Sequence, residues 1–295
     1  MNEFLVRLNK IPGKILSLLR PPDYELWKAF TDEAKKAQQH LPTQDASMAP
    51  IQVAIQKTIQ RSLTMQESAL IRKVERVRHE TESSDEKILF RDYGARSPRA
   101  TLSAEEMAEG ILEERSLATM CRVSSKPPPW ASMLFHLVRQ AKPKRCIEMG
   151  TCVGISAAYI ASALRINGEG GSLITLEGSD ELAQVARRNL DSVAMDNVEV
   201  RVGRFEEVLT PALQTQQPVN FIFIDGHHDE RATMNYFEQV TPYLASNALV
   251  IFDDIRWSDG MARAWNAIRN DPRVLRSLSV GDFGVCIAAG AGSAA

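Results

Sequence analysis

Two glycines four residues apart, Gly150 and Gly154, stand in the segment RCIEMGTCVGIS just after a short apolar run, with Glu148 two residues before the first. A second acid, Glu177, closes the run LITLE; Asp225 closes FIFID, and the pair Asp253 and Asp254 closes LVIFDD. In such a turn Gly150 permits a backbone conformation closed to other residues, and Gly154 lets a helix start close against a ligand. The spacing is GxxxG rather than GxGxxG, and Glu148 would sit badly beside a pyrophosphate. The turn therefore suits a ligand that carries positive charge and disfavours a nicotinamide dinucleotide. Glu177 is placed to accept hydrogen bonds from both ribose hydroxyls of a nucleoside. Neighbouring strand ends would bring Asp225, Asp253 and Asp254 to one point, where hard oxygen ligands suit Mg²⁺ and a bound hydroxyl would become more acidic. A purely structural reading stands beside this one: a tight glycine turn, Asp253 and Asp254 capping the next turn, and Asp225 touching a cofactor.

These residues need a scaffold that lines up strand ends. After Lys144 short β-rich runs alternate with amphipathic helical ones, the rhythm of an α/β sheet with parallel strands. Strands are expected at Arg145–Met149, Leu173–Glu177, Val198–Val202, Phe221–Asp225 and Ala248–Asp253. Helices are expected at Ile155–Arg165, Asp180–Val193, Arg231–Leu244 and Gly260–Asn270, and the runs VLRSLSV and GVCIAA around GDF predict a terminal hairpin.

Together EMGTCVGIS, LITLEGS, FIFIDGHH and LVIFDDIRWSDG resemble the class I S-adenosylmethionine-dependent methyltransferases, over roughly Pro129 to the end. The resemblance implies a Rossmann-like seven-stranded methyltransferase sheet with its last strand antiparallel. It also implies S-adenosylmethionine as cofactor, whose amino group or sulfonium answers Glu148. Glu148, Gly150, Thr151, Gly154, Ser156, Glu177, Gly178 and Asp225 would hold it, with Arg204 and Phe205 of VGRFEE lining the adenine pocket. Many members carry an acid where Arg204 stands.

The acids Asp225, Asp253 and Asp254 are similar in position to the metal site of the catechol-type and macrolide-sugar O-methyltransferases. In the catechol type the last ligand is commonly asparagine, where this chain has Asp254. His228 stands three residues after Asp225, where the catechol type carries a lysine base, and a histidine titrating near neutrality can take the acceptor's proton. Its alternative is a structural role. Arg256 and Trp257 follow the acidic pair on a loop expected to overhang and clamp the acceptor, and Trp130 either closes the same mouth or packs between regions. The resemblance thus implies O-methylation of a small-molecule hydroxyl, Mg-assisted with a histidine base. A metal-independent N-methyltransferase and a non-catalytic cofactor-binding assembly protein stay open.

Residues 1–127 read differently. Asp23 to Arg78 is helical in pattern and free of glycine, FRDYGARSPRATL reads as an irregular connection, and Ser103 with Glu106 forms a capping-box signature opening a short helix through Leu112. SKPPPW is expected to be the hinge into the second region, 128–295, with the first region acting as lid, dimer surface or both. The basic, amphipathic first twenty residues predict a helix packed on protein or resting on a membrane surface, without a signal peptide. Across the 295 residues, 44% hydrophobic content supports a sizeable core, and a formal charge of −2 argues against general nucleic-acid binding. No run is long enough to span a membrane, and the four cysteines have no CxxC spacing, so a reduced, cytoplasmic protein is expected, as a homodimer acting on a small molecule.

Overall fold

The structure is a computed structural model and describes residues 24–41, 45–94, 106, 109–168 and 170–290. The basic first twenty residues, residues 95–105 and Ser103 of the expected capping box lie outside the described residues.

Among the described residues three α-helices come first: α1 Tyr24–Gln39, α2 Ala49–Ile59 and α3 Met65–Glu82. Thr64 and Glu67 close a reciprocal capping box on α3, satisfying two amides that helix geometry leaves unpaired. A two-stranded antiparallel ribbon follows, β1 Lys87–Asp92 against β2 Ile111–Ser116, and then α4 Leu117–Ser124 and α5 Pro128–Ala141.

The rest builds one sheet, with β3 Arg145–Met149, α6 Ile155–Asn167, β4 Ser172–Glu177, α7 Asp180–Ser192, β5 Val198–Val202, α8 Phe205–Gln216, β6 Val219–Ile224, α9 Glu230–Val240, β7 Leu244–Phe252, α10 Asp259–Arg269, β8 Val274–Val280 and β9 Phe283–Ala288. Strand order is β5-β4-β3-β6-β7-β9-β8, with β9 antiparallel to both neighbours and the other pairings among β3 to β7 parallel. The expected seven-stranded α/β sheet with an antiparallel final strand is present. Because β4 leaves β3 on one side and β6 on the other, a crevice opens at the carboxyl end of β3, which is where such sheets take ligands.

Side-chain alternation along β6 and β7 feeds two cores. Phe221, Phe223, Leu249 and Ile251 face one way, into a continuous cluster with Phe30 of α1, Ile51 of α2, Val74 of α3, Phe135 of α5 and Tyr159 of α6. Ile222, Ile224, Val250 and Phe252 face the other way, against Leu209 of α8, Phe237 of α9 and Trp265 of α10. The helical first half thus shares the core of one sheet face. Trp130 serves this packing: its ring meets Phe30 and Phe283 at 4.9 Å each and fills the space over Gly281.

Three sequence expectations change. Phe90–Asp92, expected in an irregular connection, lie in β1, because Ile88 and Phe90 alternate inward and the ribbon partner pairs with them. Ile111 and Leu112, expected at the end of a helix, begin β2, since Gly110 at φ +69° breaks the helical path before them. The prolines of SKPPPW start α5 instead of only ending what precedes it, as the first turn of a helix tolerates missing N–H groups. The helix α8, with Pro211 inside it, has no counterpart in the sequence reading.

Candidate functional site

The crevice is a cavity of about 400 Å³ running from the β3 and β4 ends across to the β6 and β7 ends. Of the residues singled out in the sequence, Gly150, Thr151, Ser156, Glu177, Gly178, Arg204, Phe205, Asp225, His228, Asp254 and Trp257 line it. Glu148, Gly154, Asp253 and Arg256 do not.

At the β3 end, Gly150 adopts φ +100°, and a Cβ there would stand 1.9 Å from the carbonyl oxygen of Asp225. The glycine is demanded by the close approach of two strand ends, as well as by the sign of φ. Gly154 begins α6 at φ +85° with Ala186 of α7 3.3 Å from where its Cβ would lie, so it serves helix packing and not the cavity.

Glu148 is completely buried beneath the cavity floor. Thr175 donates to its Oε2 at 2.6 Å, while Oε1 meets no hydrogen-bond partner among the described residues. Burial pushes its pKa up to about 7, against the hydroxyls of Thr175 and Ser156, with the nearby Glu177 adding to the rise. Glu177 faces the cavity with both oxygens oriented: the Cys152 amide donates to Oε2 at 2.7 Å and the Ser179 amide to Oε1 at 3.0 Å. Burial takes it to about 7 as well. An orphaned buried carboxylate oxygen, a glycine cradle and an aimed second carboxylate fit a cationic nucleoside such as S-adenosylmethionine.

The far wall of this half is aromatic. Phe205 meets His227 edge-on at 5.5 Å and Tyr236 at 5.6 Å, and His227 stacks on Tyr236 and hydrogen-bonds its hydroxyl. Phe205 also covers Gly226, where a Cβ would fall 2.5 Å from the ring. Tyr93, directly after β1, packs in the same way on Gly178. Arg204 lines the rim and is paired with Glu207 at 2.8 Å.

At the β6 and β7 ends, Asp225 follows β6 and Asp253 follows β7 directly, each with its amide bound to the neighbouring strand. His228 Nε2 lies 3.6 Å from Asp225 Oδ1 and 3.7 Å from Asp254 Oδ2, and its ring tilts against Trp257 at 5.9 Å. Burial lowers the imidazole to about 4, so it is neutral at physiological pH with a lone pair to offer. Burial, joined by the charge of Asp253, raises Asp254 to about 6.

Asp225, His228 and Asp253 each offer one atom within 4.8 Å of the others, a spacing a metal ion could use, and Asp254 is not in that group. The position has a cation already. Lys126, from the turn before α5, contacts Asp253 Oδ2 directly and lies 3.5 Å from Asp225 Oδ2. Burial works against the ammonium, but Asp225, Asp253 and Asp254 outweigh it and hold it protonated. Burial likewise pushes Asp253 up and the lysine's charge pulls it down further, leaving it ionised, while burial and the charge of Asp253 keep Asp225 well above the usual carboxylate range. A set that neutralises one carboxylate with an ammonium and leaves the other able to hold a proton does not fit Mg²⁺, which asks for several ionised oxygens and no neighbouring cation.

Arg256, expected to clamp the acceptor, turns away and bridges Glu33 of α1 at 3.2 Å and Asp282 at 2.9 Å. Lys126, Tyr93 and Gly226 are the residues that sequence reasoning missed. Lys126 alone had a signal, a lysine directly ahead of a proline run that restricts its backbone.

The sheet order and this site define a Rossmann-like methyltransferase fold. A family model described as a methyltransferase domain matches residues 147–255. The catechol O-methyltransferase of Niastella koreensis is 29% identical over 133 residues, 44% of this chain and 58% of that protein. The transmembrane O-methyltransferase of Propithecus coquereli is 36% identical over 96 residues, 32% of this chain and 34% of that protein. The chain thus spans between about a third and three-fifths of the length of these relatives. An S-adenosylhomocysteine-bound methyltransferase of Podospora anserina shares the fold, with TM-score 0.52 and 16% identity over 84% of this chain and 97% of that one. Residues 147–255 thus resemble a class I S-adenosylmethionine-dependent methyltransferase domain, and the chain is similar to catechol-type O-methyltransferases. No helix among the described residues is long and apolar enough to cross a membrane.

Proposed function

We propose that this protein transfers a methyl group from S-adenosylmethionine to a hydroxyl oxygen of a small molecule. The observation that carries the reading is the single cavity that joins the oriented carboxylate of Glu177 to His228, Asp254 and Trp257 at its other end. Similarity to proteins named O-methyltransferases favours oxygen over nitrogen as acceptor.

S-adenosylmethionine supplies an electrophilic methyl on a sulfonium. Glu177 takes the ribose hydroxyls, and Glu148, beneath the floor, supplies negative potential under the cationic end. Phe205 and Tyr93 give apolar walls, with Thr151, Ser156 and Gly178 completing the cofactor side. An acceptor hydroxyl lies between His228 and Trp257. As its oxygen bonds to the methyl carbon, the carbon–sulfur bond breaks with its electron pair staying on sulfur, and the hydroxyl proton passes to His228 Nε2. Asp254, 3.7 Å away, stabilises the imidazolium that forms. Walls that exclude water keep the hydroxyl in line for displacement. Phe90 to Gly94, Met120 and Val123 to Lys126 of the first region cover this cavity, in a cytoplasmic, homodimeric enzyme of small-molecule biosynthesis.

Calorimetric titration with S-adenosylhomocysteine tests the first half, and mass spectrometry of a panel of phenols, alcohols and amines incubated with S-adenosylmethionine tests the second. Saturable binding with mass gain on hydroxyl compounds is expected. No binding, or methylation of amines alone, would overturn the reading.

A further inference from the structure

We propose that Lys126 is a built-in cation at the acceptor end, occupying the place a divalent metal would take and supplying its charge to the acceptor oxygen without a metal. The proposal rests on the methyl-transfer reading for its purpose but on independent geometry for its substance.

Lys126 is not a surface lysine that happens to reach inward. Its side chain is 14% exposed, it lines the cavity, and its ammonium is shared by Asp253 and Asp225 from adjacent strands. The backbone behind it is held twice. Pro127 follows it, which confines Lys126 to extended conformations. Its carbonyl accepts from Arg78 Nη2 at 2.9 Å, and Arg78 is itself buried in α3 and paired with Glu75 at 3.0 Å. A side chain anchored so firmly and aimed at two carboxylates is a formed part of the site.

An ammonium carries three donors. One is spent on Asp253, Asp225 Oδ2 lies 3.5 Å away, and at least one remains for an oxygen in the cavity. As the acceptor hydroxyl passes its proton to His228, negative charge grows on its oxygen, and a fixed cation in a site shielded from water stabilises that charge strongly. The lysine keeps its own proton, so the proton account of the reaction is unchanged. A divalent ion cannot share the gap between Asp225 and Asp253 with this ammonium, since like charges at contact distance with little screening exclude each other.

Mn²⁺ titrations read by electron paramagnetic resonance, on the apo-protein and on its S-adenosylhomocysteine complex, test this without reference to activity. Wild type is expected to show no Mn²⁺ site that depends on Asp253. Lys126→Met, which keeps the length of the side chain and removes its charge, frees both carboxylates and should bind Mn²⁺ about tenfold more tightly or better, with the gain lost again in Lys126→Met/Asp253→Asn. Wild-type methylation of a hydroxyl acceptor should be unchanged in chelator. Mn²⁺ binding by wild type that disappears in Asp253→Asn would overturn the proposal with no lysine variant needed, as would loss of turnover in chelator while S-adenosylhomocysteine still binds. A Lys126→Met protein that melts as wild type does and gains no Mn²⁺ site would also overturn it. Failure of wild type to bind S-adenosylhomocysteine would instead sink the methyl-transfer reading, and the apo-protein titrations would still decide the lysine's role.

Discussion

Glu148 and Glu177, at the ends of β3 and β4, and Asp225 and Asp253, at the ends of β6 and β7, are four carboxyl groups on one edge of one sheet. Among the described residues only the second pair has a cation of the protein's own, Lys126. The consequence shows in their acidity. With no cation among the described residues to oppose it, burial outweighs the hydrogen bonds to Glu148 and Glu177 and carries both to about 7. Beside the lysine, Asp253 stays ionised in an equally buried position. The first pair is an incomplete arrangement that a positively charged ligand with donor hydroxyls completes, whereas the second is complete in itself and offers a spare N–H to a guest. On the proposed reading, one edge serves a cationic cofactor at one end and a developing anion at the other.

Removing the lysine should erase the difference between the pairs and produce the largest effect. Lys126→Met is expected to lower the turnover of a hydroxyl acceptor by about 10²–10³-fold, the usual consequence of losing a donor aimed at developing charge. Its affinity for S-adenosylhomocysteine should stay near the wild-type value, and calorimetry beside steady-state kinetics checks both. A parallel loss of cofactor affinity would mean the two ends are not separate.

The complementary break is Glu177→Ala, which takes two hydrogen bonds to a charged group from the cofactor end. About 1.5–3 kcal/mol each implies a loss of S-adenosylhomocysteine affinity of roughly a hundredfold or more. Affinity within twofold of wild type would move the ribose away from Glu177.

Acidity offers a gentler test. A ligand that prefers ionised Glu177 must expel a proton below pH 7, so affinity should fall about tenfold per pH unit below 7 and level off above it. Glu177→Gln should flatten that profile, leaving whatever Glu148 contributes. The sign for stability is opposite. These carboxyls titrate near 4.5 when unfolded and near 7 when folded, so the folded apo-protein binds more protons in that window and loses stability as pH rises through it. Melting curves at pH 5.5 and 8, with and without S-adenosylhomocysteine, read both effects.

The smallest effect is expected from Arg256→Ala. Its bridges to Glu33 and Asp282 involve half-exposed groups, worth about 0.5 kcal/mol after solvent screening, and it lines no part of the cavity. Turnover should stay within twofold. A large drop in acceptor affinity would restore the clamp that the sequence suggested.

Much was legible in the chain itself. Apolar runs with acids at or near their ends located β3, β4, β6 and β7 and their carboxyls, because a parallel sheet buried on both faces writes itself as short continuous apolar segments. The spacing of Gly150 and the position of Glu177 placed both on one cavity wall, because local backbone sterics and strand length are properties of neighbouring residues. Long-range encounter was not legible. The strand β2, ILEERS, carries no alternation strong enough to announce it and exists because β1 pairs with it. Arg256 follows the acidic pair in sequence yet is drawn to Glu33, more than two hundred residues earlier. Lys126 lies over a hundred residues from Asp253, and only the packing of α3 against the turn before α5 brings its ammonium between two strand ends. The sequence by itself determined which carboxyls stand at the edge of the sheet. Tertiary structure decided which of them meet a cation, since a charge finds its partner through space and the spacing of residues along a chain does not record that distance.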